Sequence, residues 1–244
     1  MNRMSTTLTL RLALAVLVAA TVASSAVPAA SIPTGQAGVV CVTTGAISIL
    51  DPRDHSLYGP FFAGQMVNPG AETLDVAITP DGKTAVVSAF GDAGLRYVDI
   101  TDPTNPVLDP TSTTLSMFAE DVAITPDGQY ALVTDGGFSS KMAMVHIPSR
   151  AVAYEVDLAT SGYLQSVAVS PDGLTILGVD YFGRMLHAFR FEPALWKIRY
   201  TGPLDLSPYH PVNVEISPDG RTAIAVPAFG YDDPMDDSKD RGAS

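Results

Sequence analysis

Residues 75–89 read DVAITPDGKTAVVSA, and the phrase returns as DVAITPDGQYALVTD at 121–135, SVAVSPDGLTILGVD at 166–180 and NVEISPDGRTAIAVP at 213–227. The prolines of the shared Pro-Asp-Gly core are Pro80, Pro126, Pro171 and Pro218, spaced 46, 45 and 47 residues apart. Periods of about 40–50 residues belong either to radially repeated sheets or to helical arrays. Local chemistry decides between them. Val76–Thr79 and Thr84–Ser88 are rich in β-prone residues. Between them, proline presets the first turn position, aspartate suits the second, and glycine accepts a positive φ. This pattern predicts a tight hairpin. In a helix the same proline would remove an amide donor and clash with the preceding turn.

Each unit continues through a glycine-rich loop into a third strand, such as Leu95–Ile100 (LRYVDI) or Met142–Ile147 (MAMVHI), and a proline-bearing turn at 102–106 leads on to a fourth. Four antiparallel strands per unit make one blade of a β-propeller. Stretches such as Ala85-Val86-Val87 are apolar throughout, as expected of sheets covered on both faces. The expected fold class is therefore all-β, with about four to five four-stranded blades over residues 31–230. Units beginning near Asp75, Asp121 and Ser166 are complete. Val39–Thr43, Ala46–Leu50 and Leu57–Phe62 read as three strands of a blade that lacks its first, and 213–227 supplies one hairpin. Two arrangements stay open. The ends combine into one blade and close a small ring, or the chain is an open arc, a truncated piece of a larger ring. The abrupt charge at 231–244 (YDDPMDDSKDRGAS) favours the arc, and that segment is expected to be a disordered acidic tail.

The first 30 residues read as an address. Residues 1–11 carry Arg3 and Arg11 and no acid, Leu12–Ala20 (LALAVLVAA) is a short apolar run, and 21–30 is rich in small residues. That order is a secretory signal peptide, and the run falls short of the ~20 residues a membrane span needs. A secreted or periplasmic product with no membrane span is expected. The chain has 244 residues, 46% hydrophobic and 16% charged, which suffices for a packed core. With 26 acids against 14 bases, the net charge is −12, which disfavours nucleic acid as a partner. Cys41 is the single cysteine, so an internal disulfide and a cysteine-clustered metal site are excluded.

The Ser/Thr-Pro-Asp-Gly hairpin, its spacing and the export leader resemble the YVTN-type β-propeller repeats of bacterial and archaeal secreted proteins, over about residues 39–230. The segment Leu95–Pro103 (LRYVDITDP) looks more like the LVIVD variant of that architecture. WD-type signatures are missing: Trp196, the single tryptophan, is not at a repeated position. The resemblance implies the fold and leaves function open, because such propellers include surface proteins, lactonase-like enzymes and dehydrogenase subunits.

In a propeller, the first strand of each blade lines the central channel. The first residues of those strands are Asp75, Asp121, Ser166 and Asn213, with Glu72 and Glu120 just ahead of two of them. Such oxygens suit a hard cation such as Ca2+, and the similar propeller lactonases place their metal in such a position. The competing reading is that these side chains satisfy turn amides. Loops after the second strand carry Asp92, Asp135 and Asp180 beside Phe138, Tyr181 and Phe182, a candidate rim for a protein, peptide or glycan. The competing reading there is aromatics filling the spaces between blades. Of His55, His146, His187 and His210, only His210 leads into a first strand near the channel face, so it is the candidate base. Nucleophile-elbow, phosphate-loop, metalloprotease and dinucleotide signatures do not occur. The functional reading is a non-enzymatic secreted scaffold for binding or interaction. The alternatives are a lactonase-like hydrolase with a divalent cation in the channel, and a truncated fragment with no function of its own.

Overall fold

The four Pro-Asp-Gly turns are closed by one hydrogen-bond pattern. At the first, Thr79 N–H donates to the Thr84 carbonyl (2.9 Å) and Gly82 N–H to the Thr79 carbonyl (2.8 Å). The Thr79 hydroxyl donates to Asp81 Oδ1 (2.6 Å), which also accepts from Lys83 N–H (3.1 Å). Thr125–Asp127, Ser170–Asp172 and Ser217–Asp219 repeat this arrangement. The turn glycines Gly82, Gly128, Gly173 and Gly220 all sit at φ of 70–72°, where a side chain is strained. Hydrogen bonds from the neighbouring hydroxyls hold the carboxyls of Asp81, Asp172 and Asp219 below their ordinary range. The hydroxyl residue ahead of the proline is thus as much a part of the turn as the aspartate.

The computed structural model describes residues 38–42, 46–50, 57–62, 72–92, 94–137, 139–158 and 162–228. The leader expected at 1–30 and the tail expected at 231–244 lie outside them. Five antiparallel sheets follow one another. The first holds β1 (Gly38–Val42), β2 (Ala46–Leu50) and β3 (Leu57–Phe62). The second holds β4 (Thr73–Ile78), β5 (Thr84–Ala89), β6 (Gly94–Asp99), β7 (Val107–Leu108) and β8 (Thr113–Thr114). The third runs through β9 (Ala119–Ile124), β10 (Tyr130–Asp135), β11 (Lys141–His146) and β12 (Ala151–Asp157). The fourth runs through β13 (Leu164–Val169), β14 (Thr175–Asp180), β15 (Met185–Glu192) and β16 (Lys197–Asp205). The fifth is the hairpin of β17 (Pro211–Ile216) and β18 (Ala223–Pro227).

These are propeller blades, and two details differ from expectation. In the second sheet the fourth position is shared by β7 and β8, both paired with β6. Pro110 interrupts the run because it has no amide to donate, and Asp109 turns the chain by accepting from Thr111 N–H (2.8 Å). In the first sheet, β1 occupies the innermost place rather than the second, because it packs beside β4 in the row that continues through β9, β13 and β17. Among the described residues that row does not return from β17 to β1 by any packing of similar extent.

Apolar side chains on both faces of each sheet account for the unbroken Val/Ala/Leu runs. Ile47 and Ile49 pack on Ala85 and Val87. Val86 and Leu95 pack on Val122, Ala131 and Val133. Leu132 and Met142 pack on Ile176 and Phe189, and Leu177 and Val179 pack on Val214 and Ala225. Each fully buried large side chain stabilises the stack by roughly 1.5–3 kcal/mol. At the turn end the stacking is tight. A Cβ on Gly128 would stand 3.3 Å from the ring of Pro80, and one on Gly173 would stand 3.4 Å from Pro126.

Candidate functional site

The innermost strands β4, β9, β13 and β17 line a cavity of about 350 Å³ whose wall includes Asp75, Asp121, Ser166, Asn213 and Glu215. The first four are the first-strand residues singled out from the repeat, and the structure brings them together. Three of them join one sheet to the next. Asp75 Oδ2 accepts from Val122 N–H (2.9 Å), and Asp121 Oδ2 accepts from Val167 N–H (2.7 Å). The Ser166 hydroxyl donates to Asn213 Oδ1 (2.9 Å). Burial, reinforced by the neighbouring Asp75 carboxylate, pushes the Asp121 carboxyl well above its ordinary range. The Asp121 carboxyl therefore favours its protonated form.

That chemistry does not fit a resident Ca2+. Each aspartate commits an oxygen to a backbone amide, and among the described residues no group of three or more His, Cys, Asp or Glu side chains is placed to hold a metal. Glu72 and Glu120 are not among the lining residues. Their carbonyls accept from Phe90 N–H and the Ser88 hydroxyl, both at 2.8 Å.

The sign of the pH effect at Asp121 follows from its raised pKa. The folded state binds the proton more tightly than the unfolded chain, so stability declines as pH rises from the ordinary aspartate range through the raised value. In Asp121→Asn the side-chain amide would keep an oxygen for Val167 N–H and offer its NH2 to Asp75. Asp121→Asn is expected to melt higher than the parent at neutral pH and level with it in strong acid. A melting difference that does not grow with pH would contradict the raised pKa of Asp121.

The rim residues divide. Asp135 and Asp180 are buried and turned inward rather than towards a ligand. Asp135 Oδ1 accepts from Phe118 N–H (3.0 Å) and Gly137 N–H (2.8 Å), and its Oδ2 accepts from the Ser139 hydroxyl. Asp180 Oδ1 accepts from Tyr163 N–H (2.8 Å) and Gly183 N–H (2.7 Å). Phe138 and the side chain of Asp92 lie outside the described residues. Tyr181 and Phe182 stay on the rim. Their rings meet edge to face at 5.0 Å, Tyr163 joins Phe182 at 6.0 Å, and Phe182 is exposed. Beside them His210 stacks on Tyr181 at 4.9 Å. Its Nε2 accepts from Arg184 Nε (3.1 Å) and its Nδ1 donates to the Tyr181 carbonyl (2.9 Å). Both ring nitrogens of this candidate base are thereby engaged.

Three rim or channel residues escape the sequence reading. Phe118 is exposed and packs on Phe90 at 5.3 Å. Tyr209 is exposed next to His210. Glu215 stands where the other three repeats carry Ala77, Ala123 and Ala168, and that departure is visible in the aligned repeats.

No protein-family model matches the chain, and no curated protein sequence matches it. Solved structures do resemble it. A putative 6-phosphogluconolactonase from Bacteroides uniformis superposes with a TM-score of 0.66 at 16% identity, over 80% of this chain and 61% of its own. Hydrazine synthase of Kuenenia stuttgartiensis gives 0.54 at 22% identity, over 63% of this chain and 41% of its own. A functionally unknown protein of Desulfotomaculum acetoxidans gives 0.55 at 14% identity, over 79% and 73%. The chain thus spans less than two thirds of the length of the first two. At these identities the likeness is one of fold.

Proposed function

We propose that the protein is an exported, non-enzymatic propeller of the YVTN type, which binds a protein, peptide or glycan on the face that carries the channel mouth. The observation that supports this most is the pairing of an acid-walled cavity with an exposed aromatic rim, Phe118 and Phe182, on that same face. Aromatics supply contact area at low entropic cost, and carboxylates orient a polar ligand. His210, whose nitrogens are both engaged, favours binding over base catalysis. Arrays of peptides and glycans probed with the full chain should yield ligands whose binding drops about tenfold or more in Phe118→Ala/Phe182→Ala. An array with no ligand, or ligands indifferent to the double substitution, would reject the reading.

A lactone hydrolase is the second reading, favoured by the likeness to the 6-phosphogluconolactonase-like structure from Bacteroides uniformis. Turnover of simple lactones by folded protein would establish it, and its absence leaves the scaffold.

A further inference from the structure

The fifth sheet stands at the end of the row, and its outward face departs from the pattern of the others. In the β17–β18 register Ile224 lies opposite Glu215 and Val226 opposite Asn213. Side chains alternate across a strand. Since Val214 and Ala225 pack on the fourth sheet, Ile224, Val226 and Glu215 point the other way, while the exposed Asn213 side chain is tied to Ser166 at the edge of that face. The residues equivalent to Ile224 are Val86, Leu132 and Leu177, which are 0%, 0% and 8% exposed beneath the sheet that follows them. Those equivalent to Val226 are Ser88, Thr134 and Val179, all at 0%. Ile224 is 64% exposed and Val226 48%. The rings of Pro80, Pro126 and Pro171 each lie against the glycine of the next turn, and among the described residues no such glycine follows Pro218.

We infer that this face docks a second copy of the chain, fifth sheet on fifth sheet, about a twofold axis. The pattern on the face is complementary to itself. An axis running across the strands, midway between the Asn213–Val226 and Glu215–Ile224 pairs, reverses the strand direction. It lays Ile224 on the second copy's Val226, and the Glu215 carboxylate opposite the second copy's Asn213. Asn213 Oδ1 already accepts from Ser166, so its NH2 is the group left to donate to that carboxylate. The contact continues the sheet-on-sheet packing that buries the equivalent residues at three junctions within the chain. A head-to-tail contact would instead leave one fifth sheet uncovered and propagate as a filament, whereas the twofold contact closes at two copies. Two chains of net charge −12 repel at long range, so added salt strengthens the association.

Sedimentation velocity on the full chain tests this across the micromolar range. The expected result is a concentration-dependent passage from one copy to two, favoured by salt and weakened about tenfold or more in Ile224→Lys and Val226→Lys, each of which places an unpaired charge in the contact. Both side chains are exposed in the single copy, so its circular dichroism and melting temperature should not change. Amide exchange over 223–227 should slow as concentration rises. A single copy at every concentration, or an association indifferent to both substitutions, would overturn the inference. So would protection of 223–227 that does not depend on concentration, which would point to cover from the chain's own residues 229–244.

Discussion

Asp180→Ala should lower the unfolding free energy by about 3–5 kcal/mol, because it strips the acceptor from a set of buried donors. That is a large share of the about 5–15 kcal/mol typical of a whole domain. Asp180 closes the loop face of the fourth sheet. It takes the amides of Tyr163 and Gly183 on one oxygen and the Ser140 hydroxyl (3.1 Å) on the other, with His187 Nε2 3.6 Å away. A Cβ on Gly183 would stand 2.6 Å from the carboxylate, so the chain can wrap this closely only with glycine there. Burial by itself would raise the pKa of Asp180. The pull of His187, the two amides and Ser140 outweighs it and holds the group at about 2. A depressed pKa contributes stability that is present above the ordinary aspartate value and is lost as pH falls through the folded value. The charge thus contributes roughly 2 kcal/mol at neutral pH, lost between about pH 4 and pH 2. Asp180→Asn keeps one oxygen for the two amides. It should be milder than the alanine change and should lose that acid limb of the stability profile. Urea melts at pH 7 and pH 3 decide the matter. An alanine variant within 1 kcal/mol of the parent would mean that water satisfies these donors and the carboxylate is dispensable.

The same residue shows where sequence reading stops. The Pro-Asp-Gly turn is a local device, with φ preferences and short side-chain bonds spanning two to five residues, so the blades are legible from four copies of one phrase. The direction in which Asp135 and Asp180 point is set at longer range. Each accepts an amide 17 residues earlier in the chain, at Phe118 and Tyr163. Nothing in the local sequence separates such an inward carboxylate from one that faces a ligand. The first-strand positions lie between these cases. Their repetition places Asp75, Asp121, Ser166 and Asn213 in one channel. Whether they hold a cation or hold the sheets together depends on amides of the following sheet, 46 or 47 residues away. The first sheet is misread because its turn lacks Pro-Asp-Gly, so its innermost strand carries no repeat signal. Glu215 is readable in principle. In a radial repeat, a position that changes from alanine to glutamate in one unit marks a change of surroundings, and here it marks the sheet with no successor among the described residues.

Tyr97→Ala should cost about 3–5 kcal/mol, with Tyr97→Phe near 1 kcal/mol. Tyr97 is fully buried in β6 and is clasped from the third sheet. The Arg150 guanidinium lies 3.8 Å above its ring and is itself held by Asp109 at 2.9 Å. Thr113 Oγ1 donates to the Arg150 carbonyl (2.9 Å), so the hydroxyl contact of 2.6 Å must be Tyr97 donating to Thr113. Arg150 adopts φ of 57°, unusual for a residue with a side chain, and the clasp holds it there. Three effects are available, and their magnitudes rank them. The Asp109–Arg150 pair is partly exposed and is worth at most about 1 kcal/mol, screened by salt. The hydroxyl bond contributes about 1 kcal/mol, which Phe removes while keeping the ring beneath the guanidinium. The remainder is apolar area and the cation over the ring, lost only when the ring goes. Hence the alanine penalty should persist in high salt, while Asp109→Ala should cost about 1 kcal/mol at low salt and less at high salt. If the Phe variant were as damaged as the Ala variant, the hydroxyl and not the ring would be what joins the second sheet to the third.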